Sequence, residues 1–68
     1  MKDDTLANRL KEARTHAGLT QAELADLVGV SRKTVNTVEN GVFVPSALLA
    51  LKLAAALGTK VEKLFWLE

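Results

Sequence analysis

At 68 residues, with nine Lys and Arg against eight Asp and Glu, the chain has room for one domain with a small core, and its near-neutral balance excludes a generic, strongly basic nucleic-acid coat. It has no cysteine, so disulfides and thiolate metal sites are excluded and helix packing and capping must supply the stability. The hydrophobic fraction of 49% against 25% charged residues excludes a disordered chain, and the longest apolar run, Ala47 to Leu57, is broken by Lys52 and too short to span a bilayer.

The N-terminus, Met1-Lys2-Asp3-Asp4-Thr5, is acidic where a signal peptide would be basic, so a soluble, cytoplasmic protein is expected. A first helix is predicted from about Thr5 to Ala17, with Leu6, Leu10, Ala13 and Ala17 at helical spacing. Gly18 suits the left-handed position after it, and Leu19 packs back beneath. Thr20 and Glu23 form a capping box that opens the second helix. Leu24, Ala25 and Val28 are its buried stripe, and Gly29 ends it. Ser31 caps the third helix, which turns Val35 and Val38 inward and Arg32, Lys33, Asn36, Thr37 and Asn40 outward. Asn40-Gly41 is its stop signal. After the loop Val42-Phe43-Val44-Pro45, Ser46 caps a fourth helix running to Leu57 and stopping at Gly58. In a short fifth helix Thr59 and Glu62 repeat the capping box, and Val61, Leu64 and Phe65 face the core. Trp66, Leu67 and Glu68 form an apolar tail. There is no strand-like alternation and no internal repeat. The expected fold is all-α, with five short helices in a single domain spanning 1–68.

The turn Val28-Gly29-Val30-Ser31 is too short for antiparallel stacking. The second and third helices must cross steeply, with Val30 plugging the angle, and one helix must stand proud of the fold. Between Asp26 and Glu39 there is no acid, and Arg32 and Lys33 occupy that gap. At the start of the third helix free amides, the helix dipole and two cations favour an anion. Asn36 and Thr37 offer neutral donors and acceptors one turn on. A rod with phosphate-binding and base-reading groups together fits the DNA major groove.

These residues carry a resemblance. Gly18-Leu19-Thr20-Gln21-Ala22-Glu23-Leu24-Ala25, Val28-Gly29-Val30-Ser31, Glu39-Asn40-Gly41, Pro45-Ser46, Ala54 and Leu57-Gly58, in that order, are similar to the phage repressor and Cro-like (Xre-like) helix-turn-helix transcriptional regulators over roughly Leu6 to Phe65. The resemblance implies a lambda-repressor-like DNA-binding domain with its helix-turn-helix at about 20–40. It implies base reading by Arg32, Lys33 and Thr37, with Asn36 beside them. Thr20, Ser31, Thr34 and Asn40 match phosphate-touching positions, and Gln21 matches a position by the DNA backbone that can reach a base. Arg14 and Glu39 match a salt bridge that ties the first helix to the end of the third. The chain departs from the pattern at the apolar loop Val42-Phe43-Val44, at Leu48 and Ala55, where charged residues are usual, and at Phe65-Trp66-Leu67-Glu68, beyond which no effector or dimerisation domain is expected.

Leu48, Leu51 and Ala55 on the fourth helix, with Trp66 and Leu67, form the expected homodimer interface, Trp66 being its anchor. Trp66 has a plainer reading as a lid over Leu64 of its own chain. Arg32 and Lys33, taken alone, read first as an ordinary solvated face, and it is the helix-turn-helix around them that favours the functional reading. His16 lacks companions for a metal site, Ser31 and Ser46 are explained as caps, and no nucleophile–base set exists, so neither an enzyme nor a cofactor is expected. The leading functional reading is a sequence-specific regulator, most simply a repressor that binds a palindromic operator on double-stranded DNA as a dimer. The alternative is a protein-interaction module or antitoxin-like protein on the same helical scaffold, with a separate protein partner.

Overall fold

The computed structural model describes residues 5–68; the acidic pair Asp3 and Asp4 therefore lies outside the described residues. Five helices follow in chain order: α1 (Leu10–His16), α2 (Gln21–Val28), α3 (Arg32–Glu39), α4 (Ala47–Ala56) and α5 (Val61–Leu64). Two short strands, β1 (Leu6–Asn8) and β2 (Phe65–Leu67), bracket them and pair antiparallel, with Leu6 opposite Leu67 and Asn8 opposite Phe65. The fold is thus all-α in substance, with one small sheet that joins the two ends.

The strands correct two expectations. The first helix begins at Leu10, not near Thr5, and Phe65–Leu67, expected as the end of the fifth helix and an apolar tail, is a strand. The spacing of Leu6, Leu10, Ala13 and Ala17 imitates a helix, yet Ala17 is exposed and Leu6 packs on the core from β1. Leu6–Asn8 gains more from a sheet partner than from a frayed helical turn, because Arg9 N–H to the Leu64 carbonyl (3.0 Å) and Glu68 N–H to the Thr5 carbonyl (2.8 Å) extend the ladder at both ends. Asn8 makes the switch from strand to helix. Its Oδ1 accepts from Leu10 N–H (3.0 Å), and its Nδ2 donates to the Val38 carbonyl at 3.1 Å, fastening β1 to α3.

The expected capping box of the fifth helix does not form. Lys60 occupies the N-cap position and no side chain caps this helix. Thr59 is already committed, its N–H closing α4 on the Ala54 carbonyl at 2.9 Å. The helix therefore starts one residue later, and Glu62 is out of register for a reciprocal bond.

Leu10, Leu24, Val35, Val38, Leu53 and Leu64 are the fully buried side chains, one or two from each helix, and Leu19 and Val30 pack against their edge. With α4 burying Leu49, Ala50, Leu53 and Ala54, its other side is left to water: Leu48 is 63% and Leu51 60% exposed. No helix among the described residues is long and apolar enough to cross a membrane.

Candidate nucleic-acid interface

Local chemistry sets both helices of the central pair. Thr20 Oγ1 accepts from Glu23 N–H (3.0 Å) while Glu23 Oε1 accepts from Thr20 N–H (2.8 Å), the reciprocal box that starts α2. Gly29, at φ +76°, ends it in the left-handed conformation that side chains with a Cβ resist. Val30 N–H then returns to the Ala25 carbonyl (3.0 Å), which folds Val30 into the angle between α2 and α3. Ser31 Oγ caps α3 by accepting from Thr34 N–H at 3.2 Å. At the far end Val42 N–H bonds the Thr37 carbonyl (2.9 Å), so α3 is closed at both ends.

Val35 and Val38 bury one side of α3 completely. Arg32 and Lys33 are exposed on its first turn, Asn36 and Thr37 are half-buried one turn on, and Asn40 is exposed at its end. Asn40 Nδ2 donates to Asn36 Oδ1 at 3.2 Å, which presents the two amides as one polar edge. Thr37 donates its hydroxyl hydrogen to the Thr34 carbonyl (3.0 Å), leaving oxygen lone pairs as what it offers outward. The hydroxyls of Ser31 and Thr34 meet at 3.0 Å beside Arg32 and Lys33. Thr20, capping α2, is likewise exposed. Chemically this face offers two full positive charges, capped helix starts and a row of neutral hydrogen-bonding groups.

Behind the face lies an ion pair. Arg14 Nε donates to Glu39 Oε2 at 2.6 Å, and Arg14 Nη1 donates to the Leu19 carbonyl at 2.8 Å. The Glu39 and Arg14 side chains are 2% and 10% exposed. One bond set therefore joins α1, the loop after it and the C-terminal turn of α3. Gln21 joins the same cluster, its Nε2 donating to Glu39 Oε1 at 3.0 Å. Gln21 Oε1 in turn accepts from Arg32 Nη1 at 3.4 Å. The first residues of α2 and α3 are thereby linked, a contact that their spacing in the sequence does not announce.

The residues expected at a dimer interface fall on two parts of the surface. Leu48 borders a groove with Val30, Phe43 and Lys52, and Ala55 borders one with Leu27 and Asp26 beside the end of α2. Leu51 is exposed on the same helix. Trp66 (37% exposed) and Leu67 (69%) belong to β2, where the Arg9 guanidinium lies 5.1 Å from the Trp66 ring centroid. That cation–π contact occupies part of the ring face. Sequence reasoning missed both Arg9 and Asn8. An Asn two residues before Leu10 is a recognisable capping signal, masked by the helical spacing that begins at Leu6.

The helix-turn-helix family model (HTH_3) matches residues 10–64. The chain is 48% identical over 63 residues to YgzD of Bacillus subtilis (strain 168), an uncharacterized HTH-type transcriptional regulator, covering 93% of this chain and 96% of that one. Its fold is similar to that of the restriction-modification controller protein C.AhdI from Aeromonas hydrophila, with a TM-score of 0.76 and 42% identity over 79% of this chain and 82% of the other. It is also 50% identical over 51 residues to antitoxin HigA-1 of Vibrio cholerae, which spans 75% of this chain but only 46% of that protein.

Proposed function

Because the chain belongs to the helix-turn-helix family of transcriptional regulators, a non-enzymatic family that binds DNA, we propose that it is a sequence-specific repressor that occludes a promoter in the cytoplasm. In this reading α3 enters the major groove. Arg32, Lys33 and Thr37 meet base edges with Asn36 beside them, and Thr20, Gln21, Ser31, Thr34 and Asn40 line the backbone approach. Residues 1–68 act as one helix-turn-helix domain. The observation that carries the reading is the brace behind α3: a helix whose wet side bears Arg32 and Lys33 is held at its other end by the nearly buried Glu39–Arg14 pair. A rigid rod loses little freedom on docking, which favours affinity.

Two copies would read a palindromic operator, with recognition helices about 34 Å apart. The exposed apolar side chains Leu48, Leu51, Ala55, Trp66 and Leu67 supply surface for that homodimer. The test is a gel shift and footprint on the DNA upstream of the protein's own reading frame, with the native chain and Arg32→Ala. A protected, two-fold symmetric site lost in the variant supports the reading; equal binding by both overturns it.

A second reading is favoured by the loop after α3, where Val42, Phe43 and Val44 are 78%, 47% and 67% exposed. In that reading the domain receives another protein, as an antitoxin-like module would, and the similarity to HigA-1 lends it support. A pure interaction module protects no DNA in that footprint, whereas an antitoxin would combine both readings, protecting its own operator and also binding a second protein, so co-purification of a partner separates it from a plain repressor.

A further inference from the structure

We propose that Asn40–Gly41 is a self-modification site: the chain's own backbone converts the Asn40 amide to a carboxylate, which inactivates free protein at its DNA-binding face, while bound DNA protects it. The chemistry stands on the chain alone; the consequence for DNA rests on the reading above.

Of the three asparagines, Asn8 is followed by Arg9, Asn36 by Thr37 and Asn40 by Gly41. A side chain on the following residue crowds its backbone nitrogen, and glycine has none. Asn40 and Gly41 are exposed at the end of α3, and nothing stands within 4 Å of where a Gly41 Cβ would be. Gly41 sits at φ +74°, so the residue that lets the chain leave the helix is also the one that leaves this nitrogen uncrowded. In the reaction a solvent base takes the Gly41 N–H proton and the nitrogen attacks Asn40 Cγ. The new N–Cγ bond closes a cyclic imide, the Cγ–Nδ2 bond breaks, and Nδ2 leaves as ammonia with a proton from water. Water then opens the imide at either carbonyl, giving aspartate or isoaspartate. Water is the sole co-reactant, and nothing is oxidised or reduced.

The fold gates this step. With Asn40 at φ −87° and ψ 3°, the Gly41 nitrogen points away from the Asn40 side chain, and closure needs a rotation about ψ. That rotation breaks the bond from Gly41 N–H to the Val38 carbonyl (3.1 Å) and draws off Val42 N–H and Phe43 N–H, which share the Thr37 carbonyl at 2.9 and 3.2 Å. Asn40 Nδ2 must also leave Asn36 Oδ1, 3.2 Å away. These bonds lie between a helix end and the exposed Val42–Val44 loop, so they open without unfolding the core. A phosphate held by Asn40 keeps the turn shut. The product has the wrong sign for its place: a carboxylate at a helix C-terminus opposes the dipole and repels the phosphate. Isoaspartate also lengthens the main chain, taking Val42 and Phe43 out of register with Thr37.

The experiment ages the full chain at neutral and mildly alkaline pH in three states: folded, folded with the duplex from upstream of its own reading frame, and unfolded in urea. Peptide masses and an isoaspartate assay read each asparagine, and gel shifts read binding before and after. Conversion is expected at Asn40 and not at Asn8 or Asn36, faster at the higher pH. It should be on the order of tenfold slower in the folded chain than in urea, and slower again with the duplex. The aged chain and fresh Asn40→Asp should both lose about tenfold in affinity. Asn40→Gln, whose longer side chain does not close this ring, should keep its fresh affinity on ageing. Three outcomes overturn the proposal: a folded chain that stays intact at Asn40 while the urea sample converts, equal conversion with and without the duplex, or an aged chain that binds as the fresh one does. A fresh chain that shifts no duplex removes the DNA-binding reading and with it the inactivation, while the peptide masses still decide the modification itself.

Discussion

Glu39 accepts a 2.6 Å hydrogen bond from Arg14 across 25 positions of sequence, with both side chains almost withdrawn from water. Withdrawing two charges costs desolvation that their attraction only partly returns, so the pair serves geometry more than net stability. Removing one partner is another matter, because the other stays behind uncompensated. Glu39→Ala is expected to lower unfolding free energy by about 3 kcal/mol in a denaturant titration and to loosen α3, weakening DNA binding. A parent-like midpoint with unchanged binding would remove the brace from the account.

Asn8 makes two bonds that join β1, α1 and α3. Asn8→Ala removes one of the two donors of the Val38 carbonyl, which keeps Gly41 N–H at 3.1 Å, and takes from the Leu10 amide its Asn8 acceptor. The expected loss is about 2 kcal/mol, at roughly 1 kcal/mol per bond, read by thermal or urea melting. No change in the midpoint would mean that β1 is held by its ladder alone.

Gly29 sits at φ +76° with open space where a Cβ would stand. Substitution there meets backbone strain and no steric clash. Gly29→Ala should therefore cost about 1 kcal/mol, a modest fall in melting temperature, while leaving α3 in place and DNA specificity unaltered. Altered specificity would show that the angle between α2 and α3 depends on this glycine.

Trp66 lies against Arg9 yet keeps 37% of its surface exposed. If it also anchors a homodimer, Trp66→Ala should shift sedimentation from dimer to monomer at micromolar concentrations, since aromatic anchors commonly contribute about 2 kcal/mol or more to an interface. A native chain that sediments as a monomer while bound to operator DNA would dismiss the dimer.

Most of this architecture was legible because most of its signals are local. The Thr20–Glu23 box, the Ser31 and Ser46 caps and the turn at Gly29 each depend on residues within four positions of one another, and all form. The sheet was not legible. A strand of three residues is too short to show alternation, and β1 finds β2 only across the whole length of the chain. Leu6 misled for the same reason, its spacing from Leu10 satisfying a helix that the ladder displaces. Thr59 and Glu62 have the right letters for a capping box, but the closure of α4 takes the Thr59 amide first. At the polar face, the exposure of Arg32 and Lys33 followed from the apolar positions opposite them. The inward pull on Gln21 did not, because it depends on where α3 places Glu39.

The central claim is that the outer side of α3, led by Arg32, reads DNA sequence. Its most direct measurement is selection of bound duplexes from a random pool, performed in parallel with the native chain and Arg32→Ala. The expected result is a two-fold symmetric motif from the native protein, with preference relaxed at one position of each half-site in the variant. Recovery of no motif, or of the same motif from both proteins, would contradict it.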